Sequence, residues 1–226
     1  MKNPWPIKKF TIPHNSVWFR PDEAFFISQE QAKGIDPDEI EWNGKYKRIR
    51  ELRDLAIFGL ASFTMQERPC FVQMNALSDS PDAFLTRIVS EDTQEIVPVE
   101  ITFYGRNRLG LSEKSLEDKL SEVGGKFYKL PNGYWLLVHI GKNLQVNHQA
   151  ITDKLLSMSA KFNVFSIQEI SNHPDTVARF VVYNPKLEAF DVNVGGICYQ
   201  LSQTRIPGTL TIKKRGRHPK TSSGVV

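Results

Sequence analysis

Ser80-Pro81-Asp82-Ala83-Phe84-Leu85-Thr86-Arg87-Ile88-Val89 and Ile96-Val97-Pro98-Val99-Glu100-Ile101-Thr102-Phe103-Tyr104 decide how this chain is read. Both runs are rich in β-branched and aromatic residues, and the polar turn Ser90 to Gln94 separates them. Ala83–Val89 and Ile96–Tyr104 therefore read as the two strands of a hairpin. Pro98 cannot donate to a ladder, so it belongs at a strand start or on an unpaired side. An acid, Asp82, stands at the mouth of the first strand, and a second, Glu100, lies within the next. Two acids so placed can share a divalent metal ion, the minimum equipment for cutting a phosphodiester with metal-activated water.

Upstream, Tyr46, Ile49, Leu52, Leu55, Ala56, Leu60 and Phe63 recur at spacings of three and four, which predicts a helix from Lys45 to about Gln66. Cys70–Met74 reads as a strand or buried connection, and Asn75–Asp82 as a loop. Downstream, Ser112 to about Val123 reads as a helix with Ser112 as N-cap and Gly124-Gly125 as its stop. Tyr134–Ile140 is an apolar run between Gly133 and Gly141, the pattern of a strand covered on both faces. Asn147 to about Lys161 reads as an amphipathic helix, and Phe162–Ile170 as a strand. Helices and strands so interleaved imply an α/β domain with a central mixed sheet and helices on both faces.

Toward the C-terminus, Val177–Tyr183, Ala189–Val194 and Ile197–Leu201 read as strands. Asn184-Pro185 and Gly195-Gly196 would be their turns, and Leu210–Ile212 one more short strand. The N-terminal 20 residues, with Trp5, Phe10, Trp18 and Phe19, read as an extended arm packed on the body. Gln29–Lys33 suggests a short helix, and Asp36-Pro37-Asp38 a turn or helix start. The expected organisation is an arm and short helix over 1–44, a core over 45–170, a β extension over 171–212 and a basic tail over 213–226.

With 226 residues and 40% apolar content, the chain can bury a substantial core. No apolar stretch is long enough to span a bilayer, and the first residues lack the apolar core of a signal peptide, so a cytoplasmic protein without a membrane partner is expected. Cys70 and Cys198 read as reduced thiols. The net charge of +4 is unevenly spread. After Asp191 there is no acid, while Arg205, Lys213, Lys214, Arg215, Arg217 and Lys220 add six positive charges. Removing those six from 29 leaves 23 basic against 25 acidic residues, a body near −2. The tail is either solubilising or suited to a polyanion. Its segment Lys213-Lys214-Arg215-Gly216-Arg217-His218-Pro219-Lys220 resembles the AT-hook of minor-groove binders, with His218 interrupting the core.

The order of elements around the acids resembles the PD-(D/E)XK, or restriction-endonuclease-like, nuclease superfamily over roughly residues 45–170. The carrying residues are Glu51 in the first helix, Pro81-Asp82 entering a strand, and Glu100-Ile101-Thr102 in the next. The resemblance implies a three-layer core and a metal-dependent DNA endonuclease, or a nuclease subunit of a defence, transposition or phage assembly. Asp82, Glu100 and the carbonyl of Ile101 would hold Mg²⁺ or Mn²⁺, with Glu51 orienting the metal's water shell. Thr102 departs from the family, which has a lysine there. Lys119 on the following helix is the first substitute, with Lys114 and Lys126 as others. Without one, the fold serves as an inactive nucleic-acid-binding or scaffold protein. DNA is the expected partner, RNA the other, and further subunits or a homodimer are compatible.

Each acid also has a plainer reading. Asp82 could cap a turn. Glu100 could lie on a solvated face with Val99 and Ile101 inward. Glu51 could be a helix-surface partner of Lys47 or Arg48, with Glu41 a rival for its role. Arg106 and Arg108 extend from the Glu100 strand and could meet a nucleic-acid backbone. Gly105 and Gly110 have phosphate-loop spacing, but Leu111 stands where that loop needs lysine. His139, inside an apolar strand, reads as a hydrogen-bonded core histidine.

Overall fold

A computed structural model describes residues 16–66, 70–76, 80–90, 93–105, 115–122, 127, 130–142, 144–160, 162–170, 176–183, 186–204 and 209–212. The central helix α3 runs Lys47–Gln66, preceded by a short 3₁₀ turn at Gly44–Tyr46. It leads into strand β2 (Cys70–Met74), the hairpin β3 (Ala83–Ser90) and β4 (Thr93–Tyr104), helix α4 (Leu116–Ser121) and strand β5 (Trp135–Ile140). Helix α5 (His148–Ser157) and strand β6 (Asn163–Glu169) follow. β2, β3 and β4 are successive antiparallel neighbours, whereas β4, β5 and β6 are parallel. The parallel steps are where α4 and α5 supply the crossovers.

β1 (Ser16–Phe19) pairs with β2 at one end of this sheet, and β9 (Thr209–Ile212) pairs with β1. At the other end β7 (Val177–Val182) and β8 (Glu188–Asn193) add antiparallel strands. The C-terminal strands therefore join the same nine-stranded sheet, in the order β8-β7-β6-β5-β4-β3-β2-β1-β9. Pro98 is paired with Phe84 on β3, and the parallel ladder to β5 begins only at Val99. Its missing N–H thus falls before that ladder, on the side without a partner.

Apolar residues bury on both faces. On one, α3 contributes Leu55, Phe58 and Leu60 against Val72, Val99, Ile101, Leu137 and Phe165. Helix α1 (Pro21–Ala32) and helix α6 (Val194–Ser202) join that face through Ala24, Phe25, Val194, Ile197 and Leu201. Phe58 lies at its centre, with the rings of Trp135, Phe165 and Phe180 at 5.0–5.7 Å. On the other face Leu116 and Leu120 of α4 and Ile151 and Leu155 of α5 cover Leu136, Val138, Ile140 and Val164. No helix among the described residues is long and apolar enough to cross a membrane.

Several expectations need correction. Ile197–Leu201 is not a strand but part of α6, and Gly195-Gly196 lies in its first turn. The Asn193 side chain caps that turn by accepting from Gly196 N–H. Val194, Ile197 and Leu201 then recur at helical spacing on the buried side. The short helix at Gln29–Lys33 is the end of a longer one: α1 starts at Pro21, whose fixed φ suits a first helical position, with Asp22 and Glu23 in the first turn. α4 is shorter than expected and is capped by Ser115; Ser112, Gly124 and Gly125 lie outside the described residues. Asp36 does cap a helix, α2 (Pro37–Trp42). Trp18 of the arm is fully buried within β1, while Trp5 and Phe10 lie outside the described residues.

Candidate functional site

The β3–β4 register is antiparallel with Ala83 opposite Val99. One step beyond that pair, Asp82 stands beside Glu100. Cross-strand neighbours of this kind have Cβ atoms about 4.5–5.5 Å apart. Asp82 Oδ2 accepts the Ile101 N–H at 2.9 Å, so the carboxylate takes the place of the next ladder bond. The loop holding it is fixed by Asn75, whose N–H donates to Asp82 O at 2.9 Å and whose Nδ2 donates to Pro81 O at 2.8 Å. The Ser80–Pro81 peptide is cis. Asp82 therefore does act as a cap, through Oδ2.

Glu100 is only 2% exposed. Val99 and Ile101 do face inward, toward α3, as alternation required. Glu100 points to the opposite face, but its neighbour Leu136 belongs to the core beneath α4 and α5, so that face is covered too. The solvated-face reading fails because β4 has helices on both sides. A buried carboxylate is costly unless partnered, and Ser80 Oγ donates to Glu100 Oε2 at 3.0 Å. Buried Tyr134 adjoins the same pair. Burial, foremost, raises its hydroxyl pKa, and the Glu100 charge adds to that, while a hydrogen bond with Ser80 opposes it. Neither Ser80 nor Tyr134 carried a sequence signal for this role.

Glu51 lies in the first turns of α3 and is 3% exposed. Lys47 Nζ stands 3.1 Å from Oε1, and Arg48 Nη1 3.6 Å from Oε2. Both ion pairs of the plainer reading exist, but the carboxylate is buried rather than on the helix surface. Among the described residues Oε2 has no hydrogen-bond partner. Burial pushes the Glu51 pKa up, and the negative charge of Asp82 pushes it further, against the lowering effect of Lys47 and Arg48. Arg48 also donates from Nη2 to Asn75 O at 2.8 Å, tying the start of α3 to the loop that holds Asp82. Asp82 is thus the acid common to both partners.

Thr102 follows Glu100 on the same side of β4 and is half-buried. Lys119 is on α4, above that side, but its ammonium sits over the Tyr104 ring, 5.3 Å from the centroid. Tyr104 is two residues further along the strand, about 6.6 Å from Thr102. Arg106, Arg108, Lys114, Lys126, Lys213, Lys214, Arg215 and Arg217 lie outside the described residues. Glu41 is not with Asp82. It lines a cleft at the far end of β5 with Arg50, Arg53, His139 and Glu169.

That cleft holds a second polar group. His139 Nδ1 is 2.7 Å from Asp54 Oδ1, and both residues are buried. Burial lowers the imidazole pKa, but the charge and hydrogen bond of Asp54, aided by Glu169 and Glu41, outweigh it, so the net shift is upward. Arg53 binds Glu169 through two bonds of 2.7 and 2.8 Å. Arg50 donates to the carbonyls of Ile40 and Glu41 and lies over the Phe103 ring. The core reading of His139 holds. Asp54, one turn after Glu51 and amid apolar residues, was its legible partner.

Chemically, Asp82 and Glu100 offer neighbouring carboxylates, and Glu51 offers a buried oxygen without a hydrogen-bond donor among the described residues. Among the described residues, no three Asp, Glu, His or Cys side chains converge as a ready-made cage. Mg²⁺ does not need one, since it binds through one or two carboxylates and keeps several waters. No protein-family model, no curated protein and no solved structure matches this chain.

Proposed function

We propose that this protein is a metal-dependent DNA endonuclease of the PD-(D/E)XK kind, or the nuclease subunit of a DNA-processing assembly. The observation that carries the reading is Asp82 beside Glu100 on adjacent strands, with buried Glu51 within reach of the Asp82 charge. The succession α3-β2-β3-β4-α4-β5, with β4 and β5 parallel, supports it, because it is the order that superfamily's core requires. Asp82 and Glu100 would hold Mg²⁺ or Mn²⁺, and the Ile101 N–H would keep Asp82 oriented. When bound, the ion lowers the pKa of a water and neutralises charge on the phosphate. Ser80 and Asn75 hold the acids in place, and Glu51 would orient the water shell of the ion.

A second reading is favoured by Thr102 and by the engagement of Lys119 with Tyr104. On it, the protein is a catalytically silent nucleic-acid-binding or scaffold subunit. Supercoiled plasmid and single-stranded DNA, incubated with Mg²⁺, Mn²⁺ or EDTA, separate the two. Nicking that needs metal and disappears in Asp82→Ala and Glu100→Ala is expected. Cleavage that survives both substitutions, or persists in EDTA, overturns the site. Salt-sensitive binding without cleavage, weakened by deletion of residues 205–226, favours the silent subunit.

A further inference from the structure

We propose that Lys47 is the cation that contacts the scissile phosphodiester at this site, and that Glu51 holds it there until substrate enters. The inference rests on the nuclease reading of Asp82 and Glu100. Attack on a phosphodiester adds negative charge to the phosphoryl oxygens, and a positioned cation stabilises that charge. Two carboxylates and one divalent ion leave the site without surplus positive charge, and Thr102 supplies none.

Among the described residues Lys47 and Arg48 are the cations at Glu51, and their attachments differ. Arg48 is anchored at two points, with Nη2 on the Asn75 carbonyl at 2.8 Å and Nη1 at 3.6 Å from Glu51. It joins α3 to the loop of Asp82 and is not free to follow a substrate. Lys47 bonds Glu51 Oε1 at 3.1 Å, and its side chain is 55% exposed. Its ammonium is already solvated, so transfer to an entering phosphate carries little desolvation cost. Lysine has a compact charge on a flexible stem, which suits such a transfer. Its departure releases Glu51 Oε1 from that ammonium. Lys119 is held over Tyr104 and is not the equivalent group.

The test uses the full chain and Lys47→Ala, Lys47→Arg, Arg48→Ala and Lys119→Ala variants. Single-turnover nicking of supercoiled plasmid in Mg²⁺ is expected to slow by about 10²-fold in Lys47→Ala, with KM changed far less. Lys47→Arg recovers part of the rate, and Lys119→Ala leaves it unchanged. In Ca²⁺, binding of a fluorescent 30-mer duplex is followed against salt. Loss of one phosphate contact in Lys47→Ala lowers the slope of log K on log salt by about 0.9. Thermal stabilisation by Mn²⁺ should persist in Lys47→Ala, which separates this role from damage to the acids. An unchanged rate and an unchanged salt slope overturn the proposal. A wild-type protein that never cleaves, but whose slope falls in Lys47→Ala, defeats the nuclease reading and leaves Lys47 as the phosphate contact.

Discussion

Replacing Glu51 by glutamine separates a structural ion pair from a site acid. Glu51 is buried, its Oε2 has no hydrogen-bond donor among the described residues, and Asp82 adds like-charge repulsion. An unsatisfied buried polar atom costs about 1–3 kcal/mol. Against this stand the pairs with Lys47 and Arg48, whose side chains are about half exposed. Exposed pairs of that type contribute no more than about 1 kcal/mol each. Because the folded pKa of Glu51 is raised, the native state holds this proton more tightly than the unfolded chain. Stability therefore falls as pH rises from the ordinary carboxylate range through the folded value, and stays low above it. Glutamine removes the ionisation and the repulsion together. Metal-free Glu51→Gln at pH 8 is expected to gain about 1 kcal/mol, or about 2–4 °C in Tm for a chain of this size, and to lose that advantage at pH 4. Differential scanning calorimetry across pH, in EDTA, reads this directly. A loss of 2 kcal/mol or more at pH 8 would refute the reasoning and make Glu51 a stabilising ion-pair partner.

Other expectations follow from the same contacts. The raised pKa of His139 means that its pairing with Asp54 stabilises fully below the unfolded value near 6.5 and is lost as pH rises through the folded value. Urea titrations from pH 5 to 9 should show that decline in the wild type and a flatter profile in Asp54→Asn. A Cβ at Gly59 would stand 2.6 Å from Pro21 Cγ and 3.1 Å from Val72 Cγ1, so Gly59→Ala should cost about 1–3 kcal/mol in chemical denaturation by forcing α3 away from α1. Asn193→Ala removes the cap of α6 and should cost about 1 kcal/mol, with the first amide protons of α6 exchanging faster.

The strands around the acids were legible because their apolar runs are bounded by turn residues, and Pro98 was readable as a residue whose missing N–H faces a side without a partner. The register that sets Asp82 beside Glu100 was not legible, because β4 begins at Thr93, inside the stretch that reads as a turn. What alternation could not reveal was whether the second face of β4 meets water. That depends on α4 and α5, which arrive later in the chain and cover it. The same limit hid Ser80, Tyr134 and Asn75, whose contacts come from register and loop closure rather than local pattern. α6 was misread because five apolar-rich residues do not distinguish a strand from a helix. The Asn193 cap and the three-residue step from Val194 to Ile197 were the local signals for helix. Lys119 does lie over the sheet, yet its ammonium rests on Tyr104, a cation–π partner that spacing does not disclose.

The proposed activity stands on a divalent ion shared by Asp82 and Glu100. Electron paramagnetic resonance of Mn²⁺ titrated into the protein measures it most directly, since bound and free ion give separable signals. Saturable binding is expected in the wild type and is lost in both Asp82→Asn and Glu100→Gln, with each variant still cooperatively folded. Binding that is unchanged in the two variants, or absent from the wild type, would contradict it.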